Sequence, residues 1–293
     1  MKYVENTVNK YRFIVFDRFS KHLGGVLFKN ISSVYSGDFS DEYVLNKIFD
    51  ENKIDIVVHS ISASVPATSV DNVFDLQFNV IPTIKLLDIM RKNEVKNIVF
   101  ISSGGAVYGD IFCQGGHKEN DVLFPKSAYG LSKLTIEKYL YLYSFQHSFK
   151  SLILRLSNPY GPYHYSQKQG VVNISLEKAL KGECFEIWGT GEGRKDYIYV
   201  KDFCDILFKL LDFDYGQYAV INVGSGYLMS VNDIVSEIKM NYIHNFKFSY
   251  KQSNTLDVCS FELNLEKLKS FIGENYPFTT FKDGLRETYK WYK

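Results

Sequence analysis

An α/β protein is predicted, with a doubly wound parallel sheet followed by a smaller mixed α/β part, and three observations carry that expectation. Strand and helix signals alternate along the first half of the chain. The strands read as continuous apolar runs, as in Asp55-Ile-Val-Val-His-Ser60 and Ser151-Leu-Ile-Leu-Arg-Leu156, which is the pattern of strands covered on both faces. The helices between them run to ten or more residues, long enough for right-handed crossovers.

In chain order, Asp17 ends a first strand, and Gly37-Asp38-Phe39-Ser40-Asp41 marks the end of a short second one. Tyr43 to Phe49 repeats apolar residues at Val44, Leu45, Ile48 and Phe49, the spacing of a helix with one buried face. The Asp55–Ser60 strand follows. Asn79 to Lys92 is a helix, with Pro82 near its start and Ile84, Leu87 and Met90 on one side. Asn97-Ile-Val-Phe-Ile-Ser-Ser-Gly-Gly-Ala-Val-Tyr-Gly109 is a buried strand that delivers hydroxyl and glycine residues to the carboxyl edge of the sheet, where ligands bind in open α/β folds. Tyr129 to Phe145 is a long helix, and Ser151-Leu-Ile-Leu-Arg-Leu-Ser-Asn-Pro-Tyr-Gly-Pro162 is the next strand with its turn. From about Ser157 the rhythm loosens and glycine loops become frequent. Ser230-Val-Asn-Asp233 is a capping-box signature ahead of an Ile234–Met240 helix. With no repeat or linker, a division at residues 1–157 and 158–293 is expected within one continuous body.

Composition bounds the function. A net charge of +1 over 293 residues, without a basic block, gives no reason to expect nucleic acid as a partner. Cys113, Cys184, Cys204 and Cys259 are far apart and show no C-x-x-C spacing, so reduced thiols are expected. Met1 to Lys10 is polar, and no run approaches the ~20 apolar residues of a membrane span. A soluble, cytoplasmic protein is expected, with no membrane partner. No histidine clusters with carboxylates at metal-ligand spacing in the sequence, so His59, His117 and His164 are expected to be structural, with no metal.

The most informative pair is Tyr129 and Lys133, within Ser127-Ala-Tyr-Gly-Leu-Ser-Lys133. Four residues apart on a helix, they project from one face onto the same small volume. An ammonium beside a phenol favours the phenolate, so Tyr129 is expected to have a pKa lowered toward neutrality and to act as a general base. The spacing alone carries little weight in a chain with 22 tyrosines, and a solvated tyrosine is the alternative. The segments around it change that. They are the Ser-Ser-Gly-Gly strand end, the Ser-Asn-Pro-Tyr-Gly turn, and Glu186-Ile-Trp-Gly-Thr-Gly-Glu-Gly-Arg-Lys-Asp-Tyr-Ile-Tyr-Val-Lys-Asp202.

In this order and at these separations, the four segments resemble the extended short-chain dehydrogenase/reductase family. Within it they are most similar to the nucleotide-sugar 4-epimerases of bacterial surface-polysaccharide (O-antigen) pathways, and the resemblance spans Met1 to Lys293. It implies a Rossmann-like sheet that binds NAD and a smaller C-terminal domain that binds a UDP-sugar (UDP-glucose, UDP-galactose or their N-acetyl forms). It also implies a homodimer paired through helices near 82–92 and 129–145. The resemblance makes Tyr129 the base, Lys133 the residue that lowers its pKa and binds the nicotinamide ribose, and Ser103 the hydroxyl that meets the reacting oxygen, with Ser102 as the alternative. On the cofactor side it carries over Asp17, Asp38 and Phe39 around adenosine, Ser60, Ile61, Ser62 and Ala63 under the pyrophosphate, and Asn79 near the nicotinamide. For the substrate it carries over Asn158, Val172 with its neighbours Val171 and Asn173, Arg194 and Lys195. Lys195 stands at the family's arginine position, so a bidentate phosphate clamp becomes a point charge unless Arg194 takes over. Phe185-Glu-Ile-Trp188 resembles a uridine-enclosing segment, Trp188 being alternatively a core residue.

The chain departs from the family at its start. The family opens with a strand and a Gly-x-x-Gly-x-x-Gly turn that admits the NAD pyrophosphate to a helix N-terminus. Here the first glycines, Gly24 and Gly25, follow Asp17. Met1–Lys10 resembles the body of the family's first helix, and Tyr11–Asp17 its second strand. A late-called start, a truncated gene and a discarded cofactor all accommodate this. Asn222-Val-Gly-Ser-Gly226 lacks the third glycine of a phosphate loop and resembles a turn beside the nucleotide. Three functional classes stay open: an active epimerase, a related dehydratase or reductase, and a non-catalytic binder of a sugar nucleotide or partner subunit. Dehydratases place Asp-Glu where this chain has Gly104-Gly105, which argues against that branch.

Overall fold

The computed structural model describes residues 10–18, 30–65, 71–110, 113–252 and 260–293. The helix expected before Lys10, Gly24, Gly25 and Cys259 lie outside them. The first half alternates as expected: β1 (Phe13–Asp17), β2 (Ile31–Ser36), α1 (Glu42–Glu51), β3 (Ile56–His59), α2 (Asn72–Asp75), a π turn (Leu76–Val80), α3 (Ile81–Lys92), β4 (Asn97–Ser103), α4 (Gly104–Val107), α5 (Ala128–His147) and β5 (Lys150–Leu156).

Two parallel sheets result. One has the order β3-β4-β5-β9, where β9 is Tyr218–Val223, and the other is the pair β1-β2. Among the described residues β1 has only β2 beside it and β3 only β4, so the ladder is interrupted between β1 and β3. Side-chain packing joins the two sheets. Phe39, Leu45 and Phe49 enter one cluster with Leu86, Leu87 and Met90 of α3, Ile98, Phe100 and Ile153 of the larger sheet, and Ile136 and Leu140 of α5. The opposite face of the same strands presents Val99, Leu152 and Leu154 to a second cluster, with Ile206 and Leu210 of α7 (Val200–Leu210) and Leu263 and Leu268. Alternation along buried strands produces these two cores.

The C-terminal half adds β6 (Asn158–Tyr160), α6 (Val171–Lys181), β7 (Phe185–Trp188), β8 (Lys195–Tyr199), β10 (Leu228–Met229), α8 (Val231–Asn241), β11 (Phe248–Lys251), α9 (Glu266–Ile272) and α10 (Phe281–Tyr292). Its sheets are the three-stranded β10-β8-β6 and the two-stranded β11-β7. A third core of Val172, Leu176, Ile187, Ile234, Ile238 and Leu285 binds α6, α8 and α10 to them. The capping box at Ser230 and Asp233 forms as its sequence predicts. Because β9 and α7 belong with the first sheet, the two expected halves interleave in sequence beyond Ser157.

The Asn79–Lys92 reading is refined. The helix enters through the π turn Leu76–Val80, whose extra residue turns Asn79 inward, and Pro82 then stands in the first turn of α3. On α5, Ser127 caps the helix by accepting from Gly130 N at 3.2 Å. A Cβ at Gly130 would come within 2.5 Å of the Ala106 carbonyl, so the glycine lets α5 close onto α4.

One ion pair is sealed inside this frame. Arg155 of β5 donates to Glu137 of α5 from Nη2 at 2.8 Å and from Nε at 3.2 Å, with both residues buried. Ser102 donates to the same carboxylate at 2.6 Å, and Arg155 Nη1 donates to Tyr108 Oη at 2.9 Å. Arg155→Met should cost about 3–5 kcal/mol, because it strands a buried carboxylate, and adding Glu137→Leu should recover most of the loss. Equilibrium urea unfolding checks this; a loss below about 1 kcal/mol for the single variant would show that the carboxylate is not dependent on its partner.

Candidate active site

The site gathers at the carboxyl ends of β1, β3 and β4 and at the start of α5. Tyr129 and Lys133 lie one turn apart and both are buried. Ser103, the last residue of β4, hydrogen-bonds the Tyr129 hydroxyl, while Ser102 points to the other side and donates to Glu137. Strand alternation therefore separates the two serines and puts Ser103 with the tyrosine. Lys133 Nζ donates to the Ile101 carbonyl at 3.0 Å and lies 5.7 Å from the Tyr129 ring centroid and 4.8 Å from that of Phe100.

The expected lowering of the tyrosine pKa is corrected by burial. Removing the phenol from water pushes Tyr129 up to about 12; the Ser103 hydrogen bond opposes that rise and the Asp75 charge adds to it. Lys133 bears the complementary effect. Burial pulls its ammonium down to about 8, partly offset by Glu137. Desolvation outweighs the tyrosine–lysine attraction because the ammonium is directed at a backbone carbonyl and the phenol at a serine.

Asn79 ties the loop after β3 to the π turn, its Oδ1 accepting from Ala63 N at 2.7 Å and its Nδ2 donating to Asp75 at 3.0 Å. Ser64 also donates to Asp75. Ser60, Ile61, Ser62 and Ala63 make up this loop, with the Ser62 hydroxyl donating to the Ser64 carbonyl at 2.9 Å. Ser64 and Asp75 were missed in the sequence; the only signal was an acid four residues ahead of Asn79. At the other end Asp17 closes β1. Asp38 is held below the usual carboxylate range by hydrogen bonds from the Ser40 hydroxyl and amide, with Arg18 at 2.7 Å adding to them. The Phe39 ring is buried, 5.1 Å from His59, so that residue offers its main chain.

The residues carried over for a substrate sit on the C-terminal half. Asn158 opens β6 and donates to the Asp196 carbonyl at 2.9 Å. Arg194 is exposed, donating to the Leu228 carbonyl at 3.2 Å and lying 3.4 Å from Asp233. Lys195 opens β8. The Val172 side chain is buried in the third core, which leaves only its first-turn amide to face a ligand. Trp188 is 59% exposed, which rules out a core role. The turn from Asn222 to Gly226 spends its amides on the buried Asp196 carboxylate, at 3.0 Å from Ser225 N and 2.6 Å from Gly226 N, and so does not serve as a phosphate loop. The His59 ring is buried and lies 2.9 Å from the Thr83 hydroxyl, but His117 converges with Cys113 and Asp121 through ligand atoms all within 4.8 Å of one another, which corrects the expectation that no histidine joins a carboxylate.

This geometry fits what the comparisons with known proteins find. The family described as the NAD dependent epimerase/dehydratase family matches residues 4–224, and the chain belongs to it. Its cofactor is accordingly NAD. A putative UDP-glucose 4-epimerase of Methanocaldococcus jannaschii is 31% identical over 262 residues, covering 87% of this chain and 84% of that protein. The UDP-glucose 4-epimerase of Thermotoga maritima, solved with UDP-glucose, superposes with a TM-score of 0.87 at 29% identity, over 99% of this chain and 94% of that one. The Thermus thermophilus UDP-glucose 4-epimerase in complex with NAD gives 0.82 at 26% identity, over 95% and 90%. No described helix is long and apolar enough to cross a membrane.

Lys133 supplies a stability test. With its folded pKa depressed to about 8 from 10.5, the unfolded chain binds the extra proton between those values. The folded state is therefore penalised below about pH 8, and the penalty fades as pH rises toward 10.5. Lys133→Met should be the more stable protein at pH 7, by on the order of 1–3 kcal/mol, with the gap closing near pH 10. Thermal melts of both proteins at the two pH values check this; an unchanged gap would mean that Lys133 does not titrate in that interval.

Proposed function

We propose that the chain is a nucleotide-sugar 4-epimerase that inverts C4 of a UDP-hexose, and the contact of Ser103 with Tyr129 beside Lys133 is the observation that carries this reading. Residues at both ends of the site suit NAD in chemistry. Asp17 ends a strand where a carboxylate could accept from ribose hydroxyls, and the main chain at Asp38 and Phe39 would hold the adenosine. The Asn79-anchored loop 60–63 follows β3 and would underlie the pyrophosphate, and Lys133 and Tyr129 would hold the nicotinamide ribose. When bound, NAD supplies acceptance and return of the C4 hydride.

The chain's own residues manage the proton. Ser103 would hold the sugar 4-oxygen and Tyr129 would take its proton; once the 4-keto sugar has turned over to present its other face, Tyr129 would return the proton to that same oxygen. A phenol with a pKa near 12 needs nearby positive charge to ionise, and Lys133 provides it by swinging from the Ile101 carbonyl toward the phenol oxygen. Asn158 and the Val172 amide would hold the substrate pyrophosphate, with charge from Arg194 or Lys195. The epimerase reading is favoured over dehydration by the backing of the glycines. A Cβ at Gly104 would meet Leu263 at 2.9 Å and one at Gly105 would meet Phe261 at 2.6 Å, so an Asp-Glu pair there would have to displace both buried side chains.

The assay is interconversion of UDP-glucose and UDP-galactose, and of their N-acetyl forms, in the presence of NAD, followed by NMR. Tyr129→Phe should lower kcat by on the order of 10²–10⁴ with KM little changed. A kcat within threefold of the parent would remove Tyr129 from the proton transfer, and no turnover of any UDP-hexose by the parent would overturn the reading.

We further infer a homodimer. Leu131, Leu142 and Phe145 form one exposed stripe along α5, at 56%, 38% and 78% exposure. Leu131→Glu with Phe145→Glu should convert a dimer to a monomer in light scattering. A monomeric parent, or a variant that stays dimeric, would contradict the assignment of this face.

A further inference from the structure

We propose that Cys113, His117 and Asp121 form a binding site for one zinc ion, outside the proton-transfer site and independent of the sugar reading. The Cys113 Sγ lies 3.6 Å from Asp121 Oδ2, and His117 Nδ1 lies 3.8 Å from that same oxygen. All three ligand atoms fall within 4.8 Å of one another. Tetrahedral zinc with bonds of about 2.0–2.3 Å to sulfur, nitrogen and oxygen separates its ligand atoms by about 3.3–3.6 Å. Closing the set around an ion therefore needs shifts of a few tenths of an ångström for the Cys113–Asp121 and His117–Asp121 pairs, and at most about 1.5 Å for Cys113–His117.

The backbone explains the convergence. Gly115 and Gly116 both have φ of +82°, and Gly116 N donates to the Cys113 carbonyl at 3.1 Å, folding the cysteine back toward the histidine. A Cβ at Gly116 would come within 2.7 Å of Asn264 N, so only glycine permits this turn. A second turn, with Asp121 N donating to the Lys118 carbonyl at 3.0 Å, returns the carboxylate to the same point. His117 is held from several directions. Its amide donates to the Glu262 carbonyl, its carbonyl accepts from Asn264 N and from Asn222, and its ring stacks on Tyr108 at 4.5 Å. Lys118 N donates to Asp121 Oδ2 at 2.9 Å, the kind of outer-shell contact that orients a ligating carboxylate.

The donor set is one thiolate, one imidazole and one carboxylate, which suits zinc better than magnesium or calcium. Binding replaces the S–H···O contact of Cys113 with Asp121: the thiol proton leaves to solvent and the sulfur becomes a ligand. Asp121 is 36% exposed, so the fourth position opens to water. The ion would fasten the 113–121 loop, whose partners at 261–264 also back Gly104 and Gly105.

The test uses the whole chain, reduced and stripped with a chelator, then titrated with zinc against a chromophoric competitor and separately with cobalt(II). One equivalent should bind, with a thiolate-to-cobalt charge-transfer band in the near ultraviolet. Cys113→Ser should abolish that band, and both Cys113→Ser and Asp121→Asn should weaken zinc binding by at least about tenfold, the lower end of what losing even an outer-shell partner costs. Cys184→Ser, at an exposed thiol elsewhere, should leave both unchanged. Absence of a stoichiometric zinc equivalent would overturn the site. So would a charge-transfer band that survives in Cys113→Ser, or zinc affinity equal to the parent's in Asp121→Asn.

Discussion

The pair between Arg155 and Glu137 sets the geometry on which the site depends. Tyr129, Lys133 and Glu137 follow one another at intervals of four on α5 and so share a stripe. Fixing Glu137 against β5 through Arg155 and against β4 through Ser102 therefore fixes the rotation of the helix about its axis, and with it the direction in which the tyrosine and lysine point. The same guanidinium reaches Tyr108, whose hydroxyl donates to Asn222 on β9, so three strands, one helix and the residue that ends α4 converge on one charge. A buried ion pair adds little to stability relative to a well-packed apolar pair. Its value here is specification: a helix rotated by one residue would leave a carboxylate and a guanidinium sealed without partners.

Burial also decides the electrostatics of the site. An ammonium and a phenol one turn apart would, in water, favour the charged form of each. Inside this pocket both are pushed toward neutrality, the phenol up and the ammonium down. Releasing a proton from the phenol is therefore uphill while Lys133 faces the Ile101 carbonyl.

Much of this was legible in the sequence because it is local or periodic. The apolar runs of β4 and β5, the stripe of α3 and the capping box at Ser230 each announce themselves within about ten residues. The choice between Ser102 and Ser103 follows from alternation once Glu137 is known to lie beneath the strand, but no spacing reveals that partner 35 residues away. The pKa of Tyr129 was misread because a sequence reports charges and not their exposure. The Cys113–His117–Asp121 cluster was missed for a related reason. Its four-residue spacing resembles no common zinc signature, and the ligands meet only because two successive glycines at positive φ double the chain back. The burial of Val172 was equally hidden, since an apolar residue at a helix start reads the same whether it faces a ligand or a core.

The interruption between β1 and β3 leaves the join to side chains, and His59 is central to it. Its ring lies 5.1 Å from Phe39, which follows β2, and 5.4 Å from Phe100 on β4, so one imidazole spans the boundary between the two sheets. Thr83 spends its hydroxyl proton on the Asn79 carbonyl, so the 2.9 Å contact makes His59 Nε2 the donor and Thr83 the acceptor. Burial, with the nearby Lys133 charge adding to it, depresses the His59 pKa to about 3 from 6.5. A proton on this ring would set a second cation against Lys133 inside an aromatic stack. The ring therefore stays neutral at ordinary pH, and its contacts tie Phe39, just after β2, to Phe100 of the larger sheet.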